Sequence, residues 1–378
     1  MLTGRLNLSA LNDNFNLLQG MTSHQQWLMP ALKANAYGHG VQAVAPLLHE
    51  AGARMFATGS PFDAQQMRSM GLRQPVLLFA CATPALTAEL AASGFLVTVT
   101  SLEEARAIAD KVHRPTPVYI KVDVGLGRLG MSLEEAEDAI RRIVRVPNVR
   151  VTGIYTHAPF KNRPGAQARG NEPAGGYCAG KSWAQARLAG FDELLNSLRG
   201  YGIEPEVTQA MASSALLAGL HDSCTAVCIG HALFGLSPFS DENAAADVGL
   251  KPVLTHLGAP LIAVRSLARG SDLAIAGRLN LSEPMLTGVV AAGAGDGVPR
   301  PGPDQTMHVD INGVRAPVLA VSLEHITIDL RGVSKAIPGD QAYFVSEELS
   351  LIETARAVST SPLACLTSWS NRWALESG

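Results

Sequence analysis

Trp27-Leu28-Met29-Pro30-Ala31-Leu32-Lys33-Ala34-Asn35-Ala36-Tyr37-Gly38-His39-Gly40 opens as a short apolar run and closes as a glycine-punctuated loop, with a lysine at the changeover. An apolar run bounded by turn signals reads as a buried strand over 27–33. Seven further runs of the same kind follow, at 54–58, 75–80, 95–99, 116–122, 149–155, 205–210 and 225–230, and stretches of helical period separate them. Two helix starts carry a Ser followed three residues later by Glu, at Ser101-Leu102-Glu103-Glu104 and Ser132-Leu133-Glu134-Glu135, and both read as capping boxes. Eight strands alternating with helices in about 230 residues are what a closed (β/α)8 barrel requires. A doubly wound open sheet is the runner-up.

Beyond about residue 240 the period shortens to two. Leu261–Leu267, Gly288–Ala292, Arg315–Ser322 and His325–Leu330 are such runs, and turns rich in Gly and Pro part them. The expected organisation is an α/β chain with a barrel over 1–239 and a mainly β domain over 240–378. The segment Arg163–Gly180 reads as a long excursion between the sixth and seventh barrel strands, bordering the site.

Composition narrows the function classes. The chain has 378 residues, 47% hydrophobic and 17% charged, and a net charge of −3. That balance supports a large core and supplies no basic stripe for nucleic acid or anionic lipid. No apolar run of ~18 residues indicates a membrane span and no leader is evident, so a cytoplasmic location is expected. The five cysteines (Cys81, Cys178, Cys224, Cys228, Cys365) are an odd, scattered set, which fits free thiols better than a disulfide framework. Cys224 and Cys228 have no matching second pair of ligands in the nearby sequence, so no metal site is expected.

In a barrel the chemistry sits just beyond the C-terminal ends of the strands. Lys33 falls there after strand one, with Tyr37 and Gly38 behind it. Strand five leads into Lys121-Val122-Asp123-Val124-Gly125-Leu126-Gly127-Arg128-Leu129-Gly130, strand six into Tyr155-Thr156-His157, strand seven into Ser213 and Ser214, and strand eight into Cys228, Gly230 and His231. Small residues after the last two strands suit an anion.

Leu32–Gly40 resembles the cofactor-lysine motif of the alanine racemase family, the fold type III enzymes of pyridoxal 5′-phosphate (PLP). Similarity continues through Lys121–Gly130, Gly153–His157, Ser213–Ala215, Gly230–Gly235, Leu250–Val253 and Gly293–Arg300 in family order. The resemblance implies PLP held as a Schiff base on Lys33. It implies phosphate contacts from Tyr37, Ser213, Ser214, Gly230 and His231, with His157 and Arg128 lining the cofactor. Lys33 and His157 are then the catalytic candidates. Lys121 matches a lysine that is often carbamylated in the family and orients the arginine.

Four departures from the family pattern bear on the reaction. The second base, a tyrosine that the partner subunit supplies in a Gly-Tyr-Ala-Asp-Gly stretch, is Ala294 in Gly293-Ala294-Gly295-Asp296-Gly297. The arginine set against the pyridine nitrogen is Cys228. The Cys-Met-Asp-Gln stretch reads Ser322-Leu323-Glu324-His325, and the C-terminal tyrosine near Ser361 is absent. These changes predict a wider site and an amino-acid substrate larger than alanine. Racemisation or epimerisation is the expected reaction, with His325, Glu324 or Asp296 as replacement second base. Retro-aldol cleavage assisted by His157, decarboxylation and a non-catalytic PLP-binding homologue are the alternatives. By resemblance, the chain is a homodimer with shared active sites.

Overall fold

The computed structural model describes residues 2–160, 180–239, 244–273, 279–302, 304–369 and 372–375. It resolves into two compact units. The larger one spans Ser9–Ala36 and Val41–Lys251. Its parallel sheet runs Trp27–Pro30, Ala226–Ile229, Val207–Ala212, Val149–Tyr155, Thr116–Asp123, Leu96–Val99, Val76–Leu78 and Phe56–Thr58. A parallel bridge between Ala31 and Ala57 joins the last strand to the first, and the Leu32 N–H donates to the Ala57 carbonyl at 2.7 Å. The fold is the expected (β/α)8 barrel, and each of the eight strands overlaps one of the eight apolar runs, with Val207–Ala212 extending two residues past its run. Most of the expected excursion, residues 161–179, lies outside the described residues.

The barrel interior is filled rather than hollow, as parallel strands with both faces buried require. Met29, Met55, Ala57, Leu77, Tyr119 and Tyr155 form one buried layer, against which Phe79 and Cys228 pack. Of the two expected capping boxes, Ser132 makes a complete one with Glu135. Ser101 makes half of one: its Oγ accepts from the Glu104 N–H at 3.1 Å. The Glu104 carboxylate instead accepts from the N–H and hydroxyl of Thr100, at 2.5 and 2.7 Å. A partner one residue upstream outcompetes the box.

The second unit comprises the N-terminal residues to Leu8, Tyr37–Gly40, and the chain from Pro252 onward. Its sheet runs Met285–Val290, Ile326–Asp329, Val314–Val321, His308–Ile311, Gln341–Val345, Leu254–Leu267, Leu2–Leu6 and Trp373–Leu375. The long strand Leu254–Leu267 also pairs with Met285–Val290, so this mainly antiparallel sheet folds back on itself. A split at 239/240 assigns Leu2–Leu6 to the barrel, whereas its hydrogen bonds run to Leu254–Leu267. Among the described residues no helix is long and apolar enough to cross a membrane.

Close packing makes some glycines obligatory. A Cβ on Gly153 would lie 2.4 Å from the Tyr119 ring, which stands over it on the neighbouring strand. Gly153→Val is expected to lower stability by roughly 1–3 kcal/mol through overpacking, read as a shift in the guanidinium unfolding midpoint. Gly20→Ala, at a position with open space around it, should stay within about 0.5 kcal/mol of the native chain.

Candidate active site

Lys33 opens the short turn Lys33–Tyr37 directly after the first barrel strand. Its side chain touches solvent, yet protein surrounds it on most sides. Burial destabilises the ammonium and lowers its pKa; the nearby Cys228 opposes this, and the Arg128 charge adds to it. The amine sits 5.5 Å from the centroid of the Phe79 ring. Phe79 packs 5.8 Å from Tyr155, centroid to centroid, and the Lys121 amine lies 4.6 Å from the centroid of that second ring. An aromatic pair therefore floors two lysines at the same end of the barrel.

Lys121 is buried on the strand Thr116–Asp123, paired with Tyr155. Burial first, and then the Arg128 charge, bring its pKa down to about 7. Burial also lowers the His157 pKa well below the usual histidine value, with Lys121, Lys33, Arg128 and His231 adding in that order. His157 is accordingly a neutral imidazole near pH 7. The Cys228 thiol is pushed up to about 11 by burial, against the pull of Lys33 and Lys121, so it too is neutral there. Tyr155 is raised mainly by burial; its hydroxyl meets Thr98 Oγ1 at 3.0 Å, and Thr98 donates to the Leu78 carbonyl at 2.7 Å.

Arg128 rides on a loop built around one carboxylate. Asp123 accepts from the N–H groups of Gly125, Leu126, Gly127 and Arg128 at 3.0, 2.7, 2.8 and 3.0 Å. Burial pushes this carboxyl up, and the four bonds outweigh it and hold the pKa below the usual range. Carboxylates that gather successive backbone N–H groups are a turn signal. Here Asp123-Val124-Gly125-Leu126-Gly127 carried it, although sequence reasoning assigned Asp123 no role.

After the seventh strand, Ser213 and Ser214 are buried. The Ser213 hydroxyl accepts from the Gly230 N–H at 3.2 Å, and the Ser214 hydroxyl from the Phe160 N–H at 3.4 Å. The Gly230 N–H is thus engaged with Ser213 rather than free. A hydroxyl that accepts one bond still has its own proton to donate, so each serine keeps a hydrogen to offer at this corner. Cys228 stands beside Met29 on one side and Ala212 on the other.

The structure brings Lys33, Lys121, Arg128, His157, Cys228 and His231 within mutual electrostatic reach. Tyr37, buried, belongs to the second unit together with Gly38 and His39. In that unit the Ala294 N–H donates to the Ser322 carbonyl at 2.9 Å and the Gly295 N–H to the Leu323 carbonyl at 2.7 Å. The loop with Ala294 is therefore laced to the loop with Glu324 and His325, both exposed. Asp296 is occupied in closing its own turn on the Gly293 N–H at 2.9 Å. Phe79 and Thr98 stand beside Tyr155 at this end of the barrel without any sequence signal beyond their apolar runs.

Comparison with known proteins completes the description. The family model for the alanine racemase N-terminal domain matches residues 6–238, and that for the alanine racemase C-terminal domain matches residues 254–376. The chain belongs to the alanine racemase family. An alanine racemase of Hamiltonella defensa is 31% identical over 357 residues, 93% of this chain and 92% of its own length. One from Vibrio vulnificus is 29% identical over 373 residues, 98% of this chain and 97% of its own. Among solved structures, alanine racemase from Streptomyces lavendulae superposes with a TM-score of 0.82 at 26% identity, covering 100% of this chain and 97% of that one.

The family is PLP-dependent, and this protein is a racemase-like PLP enzyme. Its residues fit the cofactor. PLP needs cations for its phosphate and phenolate, donors at the phosphate end, and a lysine that is neutral near physiological pH. The basic cluster around Arg128, the Ser213 and Ser214 hydroxyls and the Lys33 amine would supply those groups. Because the Arg128 charge disfavours protonation of Lys33, Lys121 and His157 alike, Arg128→Gln should raise all three pKa values. The rate of condensation of the cofactor-free chain with PLP, followed by absorbance, is then expected to rise at a higher pH than in the native protein.

Proposed function

We propose that the protein acts at Cα of an amino acid whose side chain is larger than alanine's methyl, racemising or epimerising it. The observation that supports this is Ala294. The family's second base stands at this position as a tyrosine, and the alanine here has no proton to exchange. Its loop is laced to the one bearing Glu324 and His325. With Asp296 held on the Gly293 N–H, Glu324 and His325 are the better candidates for the replacement base.

Lys33 and His157 are the catalytic residues of this reading. Lys33, Tyr37, Arg128, His157, Ser213, Ser214, Cys228, Gly230 and His231 are its cofactor-binding residues. When bound, PLP supplies an electron sink that permits loss of the Cα proton. Lys33 takes and returns that proton on one face, a role its lowered pKa favours. Arg128 offers a planar fork for a carboxylate or phenolic oxygen. The two serine hydroxyls orient the phosphate. Cys228, neutral where the family has an arginine, leaves the cofactor ring under a weaker field. The replacement of two tyrosines by Ala294 and by the aliphatic start of the helix Pro362–Ser368 supports the wider substrate.

A homodimer with shared active sites is part of the same proposal, on family resemblance. A cytoplasmic location also belongs to it, supported by the four described cysteines being free thiols. A second reading, retro-aldol cleavage of a β-hydroxy amino acid, is favoured by the neutral His157 imidazole, which can accept a hydroxyl proton.

The test is to incubate the PLP-loaded protein with a panel of amino acids in deuterated water. Cα exchange, chirality and aldehyde release are followed together. Exchange with inversion on a substrate larger than alanine is the expected result. Glycine plus aldehyde would move the assignment to the second reading, and no exchange with any amino acid would leave a non-catalytic PLP protein. Lys33→Ala should abolish turnover. Ala294→Tyr should raise alanine racemisation by roughly 10²-fold, the ordinary gain from a positioned base; no gain would remove Ala294 as the explanation.

A further inference from the structure

The backbone behind Lys33 is strained. Ala34, Asn35, Ala36 and Tyr37 have φ values of 50, 55, 56 and 54°. Four consecutive residues in the left-handed region cost roughly 1–2 kcal/mol each, and such backbone persists only where its surroundings over-determine it. One clamp is at the front. The Asn35 N–H donates to Asp63 Oδ2 at 3.2 Å, and the Asn35 side-chain oxygen accepts from the Val41 N–H at 2.8 Å.

The other clamp is at the back, within the second unit. Gly38, at φ 88°, closes the turn, and a Cβ there would come within 3.0 Å of the Leu366 carbonyl. The Gly38 carbonyl accepts from the indole Nε1–H of Trp373 at 3.0 Å, across 335 residues of sequence. That indole has a built seat. Trp373 pairs with Leu2 on the first strand, and a Cβ on Gly4 would strike its ring at 2.7 Å. The ring therefore lies over Gly4, with its N–H aimed at the end of the turn. The neighbouring Arg372 donates to the Gly295 carbonyl instead.

We propose that Trp373 is a positioning residue for Lys33: its indole N–H on the Gly38 carbonyl locks the end of the strained turn that Lys33 opens. Without this lock the turn relaxes, and the amine leaves its place over the Phe79 ring and within reach of the Arg128 charge. The inference rests on Lys33 being the working amine of the proposed reaction.

Competitive labelling with acetic anhydride across pH, read by mass spectrometry of the Lys33 peptide, tests it on the full chain freed of cofactor. Trp373→Phe keeps a ring and loses the N–H. It is expected to raise the Lys33 titration midpoint by about one unit, tenfold less neutral amine below the midpoint. Gly4→Ala, which displaces the ring, should shift the midpoint in the same direction and add nothing in the Trp373→Phe background. Arg372→Ala should leave it in place. A depressed native midpoint that neither Trp373→Phe nor Gly4→Ala moves, while thermal stability falls, would overturn the positioning role alone. An ordinary lysine midpoint in the native chain would overturn the reading of Lys33 itself, and this inference with it.

Discussion

At the mouth of the barrel Lys33, Lys121, Arg128 and His231 are crowded together, and Lys121 is buried there. Like charges in a desolvated place cannot all persist, so protons leave the groups that bind them least tightly. Lys33 and Lys121 are lowered and His157 is emptied of its proton. The outcome is a guanidinium beside nitrogen bases that give up their protons more readily than usual, which suits a doubly anionic cofactor with a carbonyl to capture. The aromatic floor of Phe79 and Tyr155, and the Asp123 carboxylate that shapes the Arg128 loop, are the supports of this arrangement.

Much of the barrel was legible in the sequence. Buried parallel strands are continuous apolar runs, and eight such runs alternating with helical stretches led to the correct architecture. The closing bridge from Ala31 to Ala57 was not legible, because closure is a property of the whole sheet. Nor was the place of Leu2–Leu6, since five residues of strand pattern do not say which sheet they join. Ser101 shows the limit of a local motif: the pattern for a capping box was present, and Thr100 took the carboxylate.

The site was readable where a side chain's type alone defines its use. Lys33, Arg128, His157 and the paired serines are such residues. The left-handed turn was hidden, because alanine carries no sign of that conformation and only Asn35, Gly38 and Gly40 hint at it. Trp373 was hidden for a different reason: its partner is a backbone carbonyl far away in sequence. The barrel residues around Lys33 follow the family in residue type, whereas Ala294, Glu324 and His325 in the second unit depart from it.

Whether Lys33 carries the cofactor is the point on which the functional reading stands. Reduction of the PLP-loaded protein with borohydride, followed by peptide mapping, measures it directly. A phosphopyridoxyl group on the peptide containing Lys33 is the result this arrangement of charges requires. Label on Lys121 or another lysine, or no label at all, would contradict it.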